Sequence, residues 1–381
     1  MKGKVAIIFV FVIGLAGVGW LVFPEYLRNA LLHGYANIDD YKIFANQKIT
    51  VGEPNPWPKA EDYNQQTIPP AYLRWLQYYK TTAFVVVREG KLVHESYYNG
   101  YSSHSISNSF SMAKSIVSLL VGCAIHDGFL DSLSAPVGRY FTPFDIPQNQ
   151  PLKIIHLLTM SSGLNWDERY TSPFSLTTQA YYGNDLKRLM ASLRVVDTPG
   201  IRFRYLSCNT QILSYVLEAA TGKDIAQYVR ERLWIPLGAN HEALWSTDHP
   251  GGDEKAYCCF FATATDFARI GQLILNGGKW NGKTIVDSSY LANATRPASW
   301  LRNETGNAPL TYYGYHFWLL SYKNHQVINM QGLGGQYILV VPDWQMVIVR
   351  LGEKRCYYKI NSIPCDAYIW LSLADTLSKS N

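Results

Sequence analysis

Ser111 and Lys114 stand three residues apart in the stretch SISNSFSMAKSIVSLLVGCAIHDG, residues 105 to 128. Side chains at i and i+3 share one face of a helix. The apolar run that follows, Ile116, Val117, Leu119, Leu120 and Val121, has mostly helical spacing. A lysine on the first turn of a buried helix needs a partner or a chemical purpose. A serine hydroxyl near a helix N-terminus attacks a carbonyl once something takes its proton. A desolvated lysine sheds its charge and can take it. SMAK is the only S-x-x-K in the chain.

Two further groups carry possible chemistry. In FRYLSCNTQIL, residues 203 to 213, Tyr205 and Ser207 precede a predicted helix. A phenol beside an ammonium group is expected to have a lowered pKa and to work as base and acid. In NMQGLGGQYILVVP, residues 329 to 342, Gly332, Gly334 and Gly335 let the backbone approach a ligand at a strand end. A backbone N–H there, with that of Ser111, is placed to hold a developing oxyanion. The run is not G-x-G-x-x-G, so it is no dinucleotide signature. There is no G-x-S-x-G elbow, which speaks against an α/β-hydrolase.

Something must position these groups. AFVVVREGKLVHESYY reads as a β-hairpin turning at Glu89-Gly90. It leads into the Ser111 helix, opened by Ser109 or Phe110 and closed by Gly128. LKIIHLLTMSSG and NTQILSYVLEAATG read as helices in a mostly helical stretch from about 150 to 250. HQVINM, GQYILVV and QMVIVRLG are β-rich, and SIPCDAYIWLSLADTLSKS closes the chain as a helix. Strands early and late with helices between predict an α+β body: an antiparallel sheet from both ends of the chain, flanked by helices, with a mostly helical insertion. Residues 25 to 80, rich in Pro, Asn and Tyr, read as an irregular extension before a main domain at 81 to 381.

The composition fits an enzyme-sized body. Of 381 residues, 48% are hydrophobic and 17% charged, so a sizeable core is available. The net charge of +5 comes without a dense basic run, so no nucleic-acid partner is expected. At the N-terminus, Lys2 and Lys4 precede an uncharged run from Val5 to Phe23, long enough to span a bilayer. Residues 1 to 24 are therefore a membrane anchor with the N-terminus in the cytoplasm, or alternatively a cleaved signal peptide. Either way the body is exported. Cys356 and Cys365 bracket a short loop and suit a disulfide in an oxidising compartment. Cys123 lies in a helix as a buried thiol. C-x-x-C and H-E-x-x-H patterns are absent, so no zinc and no other cofactor is called for.

Taken in this order, the SMAK, RYLS and MQG segments resemble the serine β-lactamase-fold hydrolases of the penicillin-recognising superfamily. The likeness is nearest the class C-related esterases and the aminohexanoate-dimer hydrolases. It covers about residues 80 to 375 and includes LLTMSSGLNWDERY, PGIRFRYLSCNTQIL, LWIPLGA and AYCCFFATATDFARIGQLILNGGKWNGKTIV. The resemblance implies a β-lactamase/transpeptidase-like fold. It implies Ser111 as nucleophile, Lys114 as proton-relay partner and Tyr205 as general base and acid. Ser111 and Leu333 would supply the oxyanion N–H groups. Tyr170, Trp166, Ser207, Gln331 and Gly332 would border the substrate. It also implies that the tyrosine motif lies close to AYCCF, which allows Cys208 to pair with Cys258 or Cys259.

One triplet departs from the family pattern. Where Lys-Thr-Gly or His-x-Gly is usual, this chain has Met330-Gln331-Gly332. No cation is available there for a substrate carboxylate, and Arg202, Arg204 and Arg350 are the alternatives named from sequence. The expected activity is cleavage of an ester or small amide through an acyl-enzyme. The rivals are a β-lactamase or DD-peptidase, and a non-catalytic acyl-binding module.

Overall fold

The computed structural model describes residues 23–378. The predicted membrane-anchor run therefore lies outside the described residues, apart from Phe23. Among the described residues no helix is long and apolar enough to cross a membrane.

The strands are β1 (Asn46–Ile49), β2 (Thr81–Arg88), β3 (Lys91–Tyr97), β4 (Ser107–Asn108), β5 (Ala243–Ser246), β6 (Phe260–Ala262), the ribbon β7 (Lys279–Trp280) and β8 (Lys283–Thr284), then β9 (Trp318–Tyr322), β10 (His325–Gly332), β11 (Gln336–Val341), β12 (Met346–Gly352) and the short ribbon β13 (Lys359–Ile360) and β14 (Ile363–Pro364). A six-stranded antiparallel sheet runs in the order β3-β2-β12-β11-β10-β9. The first and last thirds of the chain thus build one sheet. The hairpin turns at Glu89 and Gly90, both with positive φ, which suits the tight turn between twisted strands.

Both faces of this sheet are covered, which is why its strands read as continuous apolar runs. Val85, Val87, Ile338, Val340, Val347 and Val349 face one core, while Phe84, Val86, Tyr337, Leu339 and Ile348 face the other. The alternation is the two-residue period of a strand. The helices are α1 (Glu25–His33), α2 (Pro70–Tyr78), α3 (Met112–His126), α4 (Ile154–Leu158), α5 (Leu176–Tyr182), α6 (Leu186–Ala191), α7 (Ser207–Thr221), α8 (Ile225–Val229), α9 (Ala264–Leu275), α10 (Ser288–Ala294) and α11 (Asp366–Leu377). Helices α3 and α9 pack on the first face, and α2 and α11 on the second. A smaller sheet, in the order β1-β5-β6-β4, stands beside the start of α3.

Two stretches differ from their sequence pattern. The 25 to 80 segment, read as irregular, contains α1, β1 and α2. Its prolines sit where they do no harm: Pro70 occupies the first turn of α2. The LKIIHLLTMSSG stretch, read as one helix, is helical only over Ile154–Leu158. Met160 has φ +54, and its carbonyl accepts the Arg204 N–H at 2.7 Å. A tertiary hydrogen bond to the tyrosine segment takes the place of the next helical turn.

Candidate active site

Ser111 is the residue before the first turn of α3, reached through Phe110 in left-handed backbone (φ +42). Asn108 holds this turn. Its side-chain oxygen accepts the Phe110 N–H at 2.8 Å and the Cys259 N–H at 3.1 Å. The nucleophile candidate is thereby tied to β6 as well as to its own helix.

Lys114 is 1% exposed. Its Nζ donates to Ser111 Oγ at 3.1 Å and to the Tyr257 carbonyl at 2.8 Å. Burial pushes its pKa down to about 8, and the Glu168 carboxylate offsets part of that shift. The ammonium is thus poised to lose its proton near neutrality, as a proton acceptor for Ser111 requires. His316, also buried nearby, is pushed down to about 3 by burial and by the charge on Lys114. It is neutral, and its Nε2 lies 3.0 Å from Thr210 Oγ1.

Tyr205 stands beside this pair: Lys114 Nζ lies 5.3 Å from its ring centroid. The sequence predicts a lowered phenol pKa; the structure overturns that. Burial dominates and raises the Tyr205 pKa, with Glu168 adding to the rise. The polar Ser111 side chain and the charge of Arg355 only partly oppose it. Tyr205 therefore keeps its proton at neutral pH, and Lys114 is the group suited to accept one. An aromatic wall backs Tyr205: Trp318 lies 5.5 Å away, stacked in turn on Tyr312 at 6.1 Å.

The third strand segment arrives at the end of β10. Gly332 has no room for a side chain, because a Cβ would lie 2.3 Å from the Ser109 carbonyl oxygen. That approach brings the backbone of Leu333 alongside the turn carrying Ser111. Gln331 is 8% exposed, and its carbonyl oxygen accepts from Asn329 Nδ2 at 3.0 Å. Only its amide N–H groups are left as donors.

Glu168 is the residue sequence reasoning missed. Its carboxylate accepts from Trp166 Nε1 at 2.7 Å, from the Ser207 N–H at 2.7 Å and from the Ser207 hydroxyl at 2.5 Å. The Tyr170 hydroxyl donates to it as well. An acid between two aromatic residues in NWDERY was the available signal. This cluster revises three expected substrate contacts. Trp166 is buried, with its N–H committed to Glu168. Ser207 is buried and likewise committed. Tyr170 alone of the three exposes its ring while its hydroxyl turns toward Glu168.

The cysteines pair differently from the family-based expectation. Cys356 and Cys365 form a disulfide, as their spacing suggests. Cys258 pairs with its neighbour Cys259, and Cys208 is a free buried thiol. Adjacent cysteines are held within reach of each other by the chain itself, so no partner from α7 is needed. Cys123 is free and buried.

A serine, a buried lysine and a tyrosine meeting beside the end of β10 define a class. A family model described as Beta-lactamase matches residues 76–355, and the chain belongs to that family. A 6-aminohexanoate-dimer hydrolase of Paenarthrobacter ureafaciens is 26% identical over 291 residues, covering 72% of this chain and 72% of that protein. Among solved structures, a Bacillus anthracis protein named as a 6-aminohexanoate-dimer hydrolase matches with a TM-score of 0.70 at 22% identity, covering 93% of this chain and 94% of that one. A family VIII carboxylesterase matches with a TM-score of 0.64 at 15% identity, covering 84% and 98%. These structural likenesses establish the shared β-lactamase/transpeptidase-like fold.

Proposed function

We propose that the protein is a serine hydrolase that cleaves an ester or small amide bond through an acyl-enzyme on Ser111. The carrying observation is Lys114, buried, depressed in pKa and 3.1 Å from Ser111 Oγ. Neutral Lys114 takes the Ser111 proton as Oγ attacks the substrate carbonyl. The N–H groups of Ser111 and Leu333 receive the oxyanion. Tyr205, protonated and beside Lys114, gives its proton to the departing oxygen or nitrogen and regains one from Lys114. The tetrahedral intermediate collapses to the ester of Ser111. Water then attacks that ester, its proton returns through the same groups, and Ser111 is freed with the acid product. No metal or cofactor is required by this sequence of steps.

The convergence of Ser111, Lys114 and Tyr205 favours turnover over a binding-only role, since an acyl-binding pocket has no use for all three. The substrates of the named relatives, an aminohexanoate dimer and carboxylic esters, support a small amide or ester here. Labelling with a fluorophosphonate followed by peptide mapping tests the assignment. Modification of Ser111 is expected, and exclusive modification of another serine would overturn it.

The chain's N-terminal run supports export, with residues 5 to 23 anchored in the inner membrane or removed as a signal. A C-terminal fusion to alkaline phosphatase is expected to be active, because that enzyme needs an oxidising compartment. An inactive fusion beside a fluorescent cytoplasmic one would reject the proposed location.

A further inference from the structure

We propose that the protein carries a second ligand site, at the end of the large sheet away from Ser111, which binds a neutral saccharide through Trp57, Trp280 and Gln272. The inference is independent of the hydrolase reading.

A cleft of about 490 Å³ opens there, within the roughly 300–1,000 Å³ usual for small-molecule sites. Its walls come from segments far apart in the chain. The β2–β3 turn at Glu89-Gly90 and the turn at Gln345 before β12 form part of it, joined by the Glu89 N–H donating to the Gln345 carbonyl at 2.8 Å. The C-terminal end of α9 supplies Gln272 and Asn276, the β7–β8 ribbon supplies Trp280 and Asn281, and the N-terminal extension supplies Trp57. Strand β12 separates this place from the catalytic end. Its first residue, Met346, pairs with Arg88 beside the hairpin turn, and its last, Gly352, pairs with Thr81. Gly352 also takes a hydrogen bond from Gln336, the partner of Gly332 beside the Ser111 turn. At about 3.3 Å per residue the two ends lie roughly 20 Å apart.

The walls are fixed. The extension docks beside β3, with the Leu92 N–H donating to the Pro58 carbonyl at 2.8 Å and the Ala60 N–H to the Leu92 carbonyl at 3.0 Å. Trp57 commits its indole N–H to the Thr265 carbonyl at 2.9 Å, so its partly exposed ring is what it offers a ligand. That ring lies edge to face with Trp280, centroids 6.4 Å apart, and is backed by Arg269 at 5.1 Å. Arg269 brings no free charge. It is paired with Asp266 at 3.2 Å, and its other N–H groups go to the Leu237 and Asn55 carbonyls and the Asn240 side chain.

Trp280 and Gln272 line the cleft and are 8% and 6% exposed, yet Trp280 Nε1 and Gln272 Oε1 have no hydrogen-bond partner among the described residues. Gln272 Nε2 donates to Asn276 Oδ1 at 2.9 Å, which orients the amide and leaves its oxygen over. A buried polar atom left unpaired costs stability. One of these atoms only donates and the other only accepts. Hydroxyl groups do both and satisfy each. The exposed amides of Asn281 and Gln345 add neutral donors and acceptors at the rim. The electron-rich face of an indole suits the C–H face of a sugar ring. An apolar ligand would leave Trp280 Nε1 and Gln272 Oε1 unpaired. An anion would meet the exposed Glu89 carboxylate with Arg269 already neutralised. A neutral molecule with many hydroxyls and an apolar face fits all of these groups.

The test is titration of the full chain with maltose, cellobiose and N,N′-diacetylchitobiose, followed by calorimetry and tryptophan fluorescence. At least one is expected to bind at millimolar concentration or below and to shift the emission. Trp57→Ala should weaken that binding by about tenfold or more, and Gln272→Met, similar in volume but without the amide, several-fold. Circular dichroism and thermal melting check that both variants fold. Should Trp57→Ala fail to fold, Asn281→Ala with Gln345→Ala, both at exposed positions, should weaken binding several-fold. The bound sugar should leave kcat/KM for neutral esters unchanged. No binding of any of the three sugars would overturn the proposal, as would equal binding by wild type and folded variants. Competitive inhibition of ester turnover would place the sugar at Ser111 and overturn it too. Direct binding is read without turnover, so failure of the hydrolase reading leaves this test intact.

Discussion

Glu168 caps the helix that begins at Ser207, taking the Ser207 N–H at 2.7 Å and its hydroxyl at 2.5 Å on the two oxygens of one carboxylate. The residue before the helix, Leu206, has no side chain able to cap it. A residue 39 positions upstream does so instead, and the same carboxylate orients Tyr170. Glu168→Gln keeps the size but removes the charge and one acceptor. It is expected to lower stability by about 1–2 kcal/mol, the range of a lost cap, and to slow turnover through displaced Tyr170 and Tyr205. Urea unfolding and steady-state kinetics check both. Unchanged values would mean the carboxylate is dispensable.

Ser111→Ala should abolish hydrolysis with the fold intact. The hydroxyl is small and sits at the mouth of the cleft, so its loss leaves little cavity. Circular dichroism and thermal melting should match the wild type while ester turnover disappears. Retained turnover would move the nucleophile elsewhere.

Tyr205→Phe removes the proposed proton donor to the leaving group but leaves the ring against Trp318. A loss of roughly 10²–10⁴ in kcat is expected for a missing acid-base group. The loss should be smaller for p-nitrophenyl esters than for amides, because nitrophenolate departs without a proton. Equal losses on both would argue against the donor role.

The depressed pKa of Lys114 makes two linked predictions. Activity (kcat/KM) should rise with pH through about 8, as the free enzyme's Lys114 becomes neutral. Its folded pKa lies below the unfolded value of 10.5, so the unfolded chain holds more protons between pH 8 and 10.5 and the wild type loses stability as pH falls through that window. Lys114→Met should therefore be inactive. It should also gain stability relative to wild type on going from pH 10.5 to 8, by up to about 3 kcal/mol at the usual 1.4 kcal/mol per pKa unit. Below pH 8 the difference should stay level. Chemical denaturation at several pH values checks the sign; a difference independent of pH would mean Lys114 is charged in the folded protein.

Opening the Cys356–Cys365 disulfide should loosen the loop it closes. For a loop of this length the chain-entropy model gives a loss of about 3 kcal/mol. Cys356→Ser with Cys365→Ser is expected to lower the melting temperature. Identical melting of the oxidised wild type and the double variant would remove that role.

Much of this was legible in the sequence because it rests on local pattern. The spacing of Ser111 and Lys114 and the apolar run after them mark a buried helix face. Period-two apolar segments at both ends of the chain mark the sheet. The glycines of MQGLGG mark a backbone approach. What the sequence could not decide depends on which surfaces meet. Tyr205 looked like a phenol with a lowered pKa because Lys114 was known to be near. Only packing shows that burial and Glu168 outweigh that charge. Trp166 and Ser207 looked like cleft residues because their segments border it, but the half-buried Glu168 carboxylate takes up their polar groups. Arg350 was one of the cations open to a substrate carboxylate on charge alone. The fold sends its guanidinium beneath the sheet, where five backbone and side-chain oxygens hold it. Burial and long-range hydrogen bonding set the chemistry of each ionisable group, and both come into being only when distant segments pack.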